Sequence, residues 1–198
     1  MGCIMVEKLR AICLLEADYN WLLKLIFAKR MMNNARTKGI IPAEQFAKAG
    51  TRSSDGTLCK LLTFDRSQIL HHTAALTSVD LGNCYDAVAH SMASIAVQAF
   101  GVSPIMVKVM LSVMQTMQFF LRSGYGDSTS PFGASKERPY GGLGQGSGAT
   151  PSSFSAVSTL MIMAFLRMGH GVQISTAVTG FVFALAAILC VDDTDVLH

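Results

Sequence analysis

Three stretches of the chain hold the residue types that do chemistry. "VDLGNCYDAV" places Asp80 at the end of an apolar run, with Tyr85 and Asp86 close behind. "GLGQGSGATPSS" sets four glycines and Gln145 directly before a helical pattern. "ILCVDDTDV" leads apolar residues straight into Asp192, Asp193 and Asp195. Carboxylates are hard oxygen donors of the kind Mg²⁺ accepts, and glycine lets a backbone approach a ligand closely. Each stretch alone also has an ordinary reading, as a strand-end turn, a plain loop or a surface pair. "GQGSG" lacks the GxxxxGK[ST] of a phosphate loop and the GxGxxG of a dinucleotide fold. A solvated acidic turn needs no apolar approach, so the last stretch reads as a buried strand that presents its carboxylates at one end.

The elements that must position these residues follow from periodicity. Trp21, Leu22, Leu25, Ile26 and Phe27 interleave with Lys24, Lys29 and Arg30, which predicts a helix with an apolar stripe and a basic face. Asp18 or Asn20 is placed to cap it, and Gly39 to end it. Residues 40–56 read as loop, 56–75 as a helix, and "TSVDLGNCYD" opens as a strand. Residues 88–101 read as a helix, as do 103–124, with Ser103 as N-cap and Pro104 in the first turn. The Gly/Ser/Pro-rich segment 125–151 predicts loops, turns and a short hairpin, and "SSFSAVSTLMIMAFLRMG" a helix closed by Gly169. Helices alternating with few strands make the class α+β.

Composition bounds the functions. The 198 residues suit one domain, alone or with a smaller lobe; 51% are hydrophobic and 15% charged, and the mean hydropathy is +0.40. Residues 1–66 carry eleven Lys/Arg against six Asp/Glu, and residues 67–198 five against seven. A basic first third suits a polyanion or nucleotide phosphates, or simply a solvated helix face. The five cysteines form no CxxC pair and have no His at zinc spacing, as expected of reduced thiols in an intracellular protein. Residues 172–191 hold no charge over the length of a membrane span. Gln173, Ser175, Thr176, Thr179 and Gly180 read as well as two strands, or a helix end and a strand.

In order and spacing, these stretches resemble the palm of reverse transcriptases: motif A as "DLGNCYD", motif B as "GQGSGATP", motif C as "CVDD". Upstream, "LRAICLLEADYNWLLKLIFAKRM" and "IIPAEQFAKAGTRS" resemble the fingers of retroelement polymerases, and the resemblance covers nearly the whole chain. It implies a right-hand polymerase fold: partial fingers over residues 1–75, and over 76–198 a palm of antiparallel strands with helices on one face.

The reaction implied is RNA-directed DNA synthesis, in which a primer 3′-hydroxyl attacks the α-phosphorus of a dNTP on an RNA or DNA template. Two Mg²⁺ ions (or Mn²⁺) about 3.5–4 Å apart stabilise the attacking and leaving oxygens. By resemblance, Asp80 and Asp192 bind the metals with Asp193 assisting, while Asp86 and Asp195 are peripheral. Adjacent strand residues point oppositely, so Asp193 joins only if a tight hairpin follows. Gln145 and Gly146 meet the nucleotide, and Arg10 matches a triphosphate-gripping arginine. Lys24, Lys29, Arg30 and Arg52 are candidate template contacts. Tyr85 occupies the place where RNA-making relatives commonly carry an Asp for the 2′-hydroxyl, and its ring resembles the steric gate of DNA-making members. Tyr85 reaches the site only if the strand ends near Gly82 and turns there.

Departures from the family pattern are Cys190, where Tyr or Phe is usual, Ala11 after Arg10, and Thr150 for Ser. The chain ends soon after motif C, so the strand pairing back, the later palm segments and the thumb are expected to be missing. The alternatives are a catalytically inactive remnant that still binds nucleic acid, an RNA-directed RNA polymerase, and a membrane protein using residues 172–191.

Overall fold

The computed structural model describes residues 12–133, 139–175, 182–190 and 193–197. The class is α+β. Helix α1 (Ala17–Leu23) runs into a π-helical stretch (Lys24–Met31) and then α2 (Met32–Thr37). The Tyr19 N–H donates to the Glu16 carboxylate at 2.9 Å, so Glu16 caps the helix rather than Asp18 or Asn20. Gly39, at φ +64°, ends it. Leu23, Phe27, Met31 and Ala35 recur every fourth residue and are all buried. Burying each larger one removes it from water for about 1.5–3 kcal/mol.

Helix α3 (Ser53–Ile69) starts earlier than its sequence predicts. The Arg52 N–H donates to Asp55 Oδ2 at 2.8 Å, which closes the first turn, and Gly56 lies inside the helix against Phe46 and Ile188. Strand β1 (Leu76–Asp80) precedes α4 (His90–Ala99) and α5 (Pro104–Thr116), where Ser103 accepts the Met106 N–H as expected. The second of these helices stops well short of residue 124. Two small ladders take its expected last turns: β2 (Gln118–Phe119) pairs with β5 (Phe132–Gly133), and β3 (Arg122–Ser123) with β4 (Gly126–Asp127). The Arg122 guanidinium also grips Asp127 with two bonds, at 2.7 and 2.9 Å.

After α6 (Thr150–Arg167) come β6 (Val172–Ser175), β7 (Val182–Leu185), β8 (Ala187–Cys190) and β9 (Asp193–Leu197). One expectation is corrected here, and one alternative reading of 172–191 is settled for the described residues. The strand that pairs back after "CVDD" is present: β9 lies antiparallel to β8 on one side and β1 on the other, in the order β1–β9–β8. The described parts of 172–191 are strands, with β6 on β7. Among the described residues no helix is long and apolar enough to cross a membrane.

The first helix, α4, α5 and the start of α6 share one core, through Leu23, Phe27, Val97, Met110 and Phe154. Strand β8 is buried between α3 and α6. Its outer edge is covered by residues 44–46: the Phe46 N–H donates to Leu189 O at 2.9 Å and the Leu189 N–H to Glu44 O at 3.1 Å. Gln45, fully buried, donates to Ser158 Oγ at 3.0 Å and so pins that segment to α6.

Candidate active site

Asp80 is the last residue of β1, and its Cα partner across the ladder is Asp193, the first residue of β9. Cys190 pairs with Asp193, and β9 runs antiparallel to β8 from there. The return strand therefore takes the seat beside β1, which brings Asp193 opposite Asp80. Asp192 and Arg10 lie outside the described residues, and Asp193 is placed by its backbone alone.

Beyond Asp80 the chain turns at once. Asn83 adopts φ +52°, and its carbonyl accepts the N–H groups of Asp86 and Ala87, each at 2.9 Å. The turn that Tyr85 requires is thus made, close to Gly82. The Tyr85 ring packs edge-on to Phe154 at 5.5 Å and 85°. Asp80, Asn83, Tyr85, Asp86 and Gln145 border a cavity of about 90 Å³, which brings three of the sequence-chosen residues together.

The glycine-rich loop is fastened on both sides. On one, the Leu143 N–H donates to Tyr85 O at 2.8 Å, and Gly142, at φ +81°, leaves so little room that a Cβ would meet the Asp86 backbone at 2.5 Å. On the other, the Cys13 N–H donates to Gln145 O at 2.7 Å and the Gly148 N–H to Asn20 Oδ1 at 2.6 Å. Gly146, at φ +110°, would drive a Cβ into the Cys13 carbonyl. Its smallness thus serves the N-terminal segment as well as any ligand. Thr150 Oγ1 donates back to the Leu143 and Gly144 carbonyls at 2.6 and 2.8 Å. The hydroxyl of Thr150 keeps the loop tight.

Charges around the site divide into paired and available. Asp195 is paired: Lys60 Nζ lies 2.6 Å away and the Ser78 hydroxyl donates to the carboxylate. Asp80, exposed, makes no ion pair among the described residues. Asp86 accepts from the Tyr140 hydroxyl at 3.3 Å. Burial first, then the neighbouring Cys13 and Asp86, pushes the Tyr140 phenol far above its ordinary value, and burial likewise raises the Cys13 thiol. Among the described residues no group of three or more His, Cys, Asp and Glu side chains could hold a metal ion.

A larger cavity, about 840 Å³, opens between the first helix and the loop, lined by Trp21, Lys24, Lys29, Tyr85, Gly146 and Pro151 among others. Arg30 lines an adjoining cavity of about 550 Å³ that shares Lys29. Arg52 lines neither and sits at the start of α3. Sequence reasoning missed Asn20, Cys13 and Tyr140.

No protein-family profile matches the chain, and no curated protein matches its sequence. A solved apo telomerase from Candida tropicalis, truncated from its C-terminal domain, is similar in structure, with a TM-score of 0.50 and 12% identity. The superposition covers 91% of this chain and 33% of that one. At the coarse level the fold is telomerase-like. The chain spans about a third of that structure's length, and at this identity the likeness concerns the fold alone.

Proposed function

We propose that this chain is the fingers-and-palm portion of a retroelement RNA-directed DNA polymerase, adding dNTPs to a primer 3′-hydroxyl on an RNA or DNA template. The observation that carries the reading is the meeting of Asp80 and Asp193 across the β1–β9 ladder, beside a cavity bordered by Tyr85 and Gln145. The motif order in the sequence and the likeness to a telomerase, a reverse-transcriptase-related enzyme, agree with it.

Acidic residues directly opposite each other on a sheet are destabilising unless a cation intervenes. Asp80 has no cation partner among the described residues, whereas Asp195 has Lys60. Asp80, Asp192 and Asp193 would hold two Mg²⁺ or Mn²⁺ ions, which when bound supply charge stabilisation to the attacking and leaving oxygens. Gln145 and Gly146 face the nucleotide, and Arg10 grips its triphosphate. Lys24, Lys29 and Arg30 lie along the path of the template strand, with Arg52 further off. Tyr85, braced by Phe154, excludes a 2′-hydroxyl and offers it no ionised acceptor, which favours DNA over RNA synthesis.

The test is single-nucleotide addition to a primed RNA template by the purified chain at high concentration with Mg²⁺. Addition that follows the template and is lost in Asp80→Asn supports the reading. Addition indifferent to Asp80 overturns the metal role of that carboxylate, and no addition with the primed template still bound leaves the inactive nucleic-acid-binding remnant in its place.

A further inference from the structure

His90 stands back from the cavity beside Asp80, yet its ring is bonded on both sides. It is half-buried and opens α4. Its Nε2 lies 2.6 Å from the carbonyl oxygen of Gly142, 52 positions along the chain. Its Nδ1 lies 2.9 Å from Gln115 Nε2, near the end of α5. A carbonyl oxygen only accepts, so Nε2 carries the proton and donates to Gly142. In the neutral ring Nδ1 is then the acceptor, and the Gln115 amide donates to it. One tautomer satisfies both partners, and Gln115 selects it.

The bond to Gly142 reaches the glycine-rich loop at a point that is also held from the other side. Gly142 is buried, and among the described residues no other hydrogen bond reaches its carbonyl. A buried carbonyl left without a donor is costly, so the loop follows the imidazole. The opposite side of Gly142 rests on the turn after Asp80, where a Cβ would meet the Asp86 backbone at 2.5 Å. Gly142 is thus gripped between that turn and the start of α4. The next residue is bonded as well, with the Leu143 N–H donating to Tyr85 O at 2.8 Å. Three residues beyond Gly142, Gln145 borders the cavity beside Asp80. Cys13 and Asn20 fasten the loop to the N-terminal segment and the first helix. His90 ties it to α4 and, through Gln115, to α5.

We propose that His90 is a positioning residue: its Nε2–H tautomer, selected by Gln115, sets the depth of the glycine-rich loop and with it the place of Gln145 beside Asp80. An imidazole suits the task because one rigid ring offers a donor and an acceptor in fixed directions. A long flexible donor makes the same bond at a greater cost in side-chain freedom. A dNTP that meets Gln145 feels a displaced loop as weaker binding, while the carboxylates of the β1–β9 ladder keep their places. That consequence rests on the polymerase reading; the hold of His90 on the loop does not.

Two variants separate the bonds from the bulk. His90→Phe keeps a ring and loses both bonds, whereas His90→Gln keeps an amide N–H within reach of Gly142. With the purified chain on a primed RNA template, His90→Phe should raise the dNTP KM roughly tenfold. Little change in kcat is expected, the mark of lost binding rather than lost chemistry, and His90→Gln should restore most of the KM. Two readouts need no nucleotide. Nitrogen NMR of the labelled ring at alkaline pH should show Nε2 protonated and Nδ1 bare, and Gln115→Leu should turn this into a mixture of tautomers. Amide exchange at Leu143 should quicken roughly tenfold in His90→Phe and not in His90→Gln. If His90→Phe does not fold, Gln115→Leu carries the kinetic test, with a smaller rise in KM. An Nδ1–H tautomer, unchanged exchange at Leu143, or nucleotide addition with an unmoved dNTP KM would each overturn the assignment, the last leaving the polymerase reading intact. The Nε2–H tautomer with a loosened loop in His90→Phe, in a chain that adds no nucleotide, would sink the polymerase reading and keep His90 as the anchor of the loop.

Discussion

Asp80 and Asp193 stand directly opposite each other at the end of the β1–β9 ladder. Two rungs away, Asp195 is opposite Ser78 and bound to Lys60. The same strand thus ties Asp195 into the fold, while Asp193 stands at the end of the ladder where the proposed reading calls for a metal ligand. Asp80→Asn should lower nucleotide addition at least a thousandfold while leaving the melting temperature unchanged or slightly raised, because a like-charge pair is relieved. Mg²⁺ should raise the melting temperature of the wild type and not of the variant. Asp195→Asn should do the opposite: a loss of about 1 kcal/mol in stability with addition retained. Thermal melts with and without Mg²⁺, beside a rate measurement, separate the two.

Tyr85 is held by Phe154 and by the bond from Leu143 to its own carbonyl. Tyr85→Val should raise the use of ribonucleotides relative to deoxynucleotides by tenfold or more, a change of about 1.4 kcal/mol in discrimination. Competition between ATP and dATP at one template position measures it. An unchanged ratio would remove Tyr85 as the gate and reopen RNA synthesis as the reaction.

Gly146 has a left-handed backbone and no room for a methyl group beside Cys13. Gly146→Ala should cost about 1–3 kcal/mol, read as a lower urea midpoint at unchanged slope. The same variant should raise the KM for nucleotide, because the loop carries Gln145.

Tyr140 has a phenol pushed well above its ordinary value near 10 by burial. Its neutral form is favoured in the folded chain, so its contribution to stability is complete below pH 10. That contribution is lost as pH rises from 10 toward the raised value, because the unfolded chain releases the proton first. Tyr140→Phe should therefore flatten the decline of stability above pH 10. Denaturant melts of both forms at pH 8 and pH 10.5 give the comparison, and parallel declines would contradict the burial.

The first helix was legible but its seam was not: of the stripe read as Trp21, Leu22, Leu25, Ile26 and Phe27 only Phe27 is fully buried, and the seam runs through Leu23, Phe27, Met31 and Ala35. Strand β1 was legible because an apolar run ends in a turn at Gly82–Asn83. What sequence could not give was competition between partners. Residues 117–123 carry the apolar pattern of a continuing helix, yet Phe119 and Arg122 find strand partners in Phe132 and Asp127, and pairing across space overrode local preference. Asn20 looked like a cap and instead accepts the Gly148 N–H, a bond across 128 positions that no local signal announces. The convergence of Asp80, Tyr85 and Gln145 was legible from the order of the motifs. The basic face of Lys24, Lys29 and Arg30 was legible too, but not the π-helical winding of Lys24–Met31 on which Lys24 and Lys29 come to line one cavity.

Strand β8 has its outer edge occupied by residues 44–46, whereas among the described residues β1 is the outermost strand at the opposite side of the sheet. Its residues from Thr77 to Asp80 are exposed, and an outer strand presents a row of backbone donors and acceptors that a further strand can extend. A strand arriving there would run alongside Asp80. In concentrated solution the same edge would seed sheet-to-sheet aggregation between copies. Substituting Lys at Thr77, whose exposed side chain lies on that edge, should therefore improve solubility without touching the carboxylates.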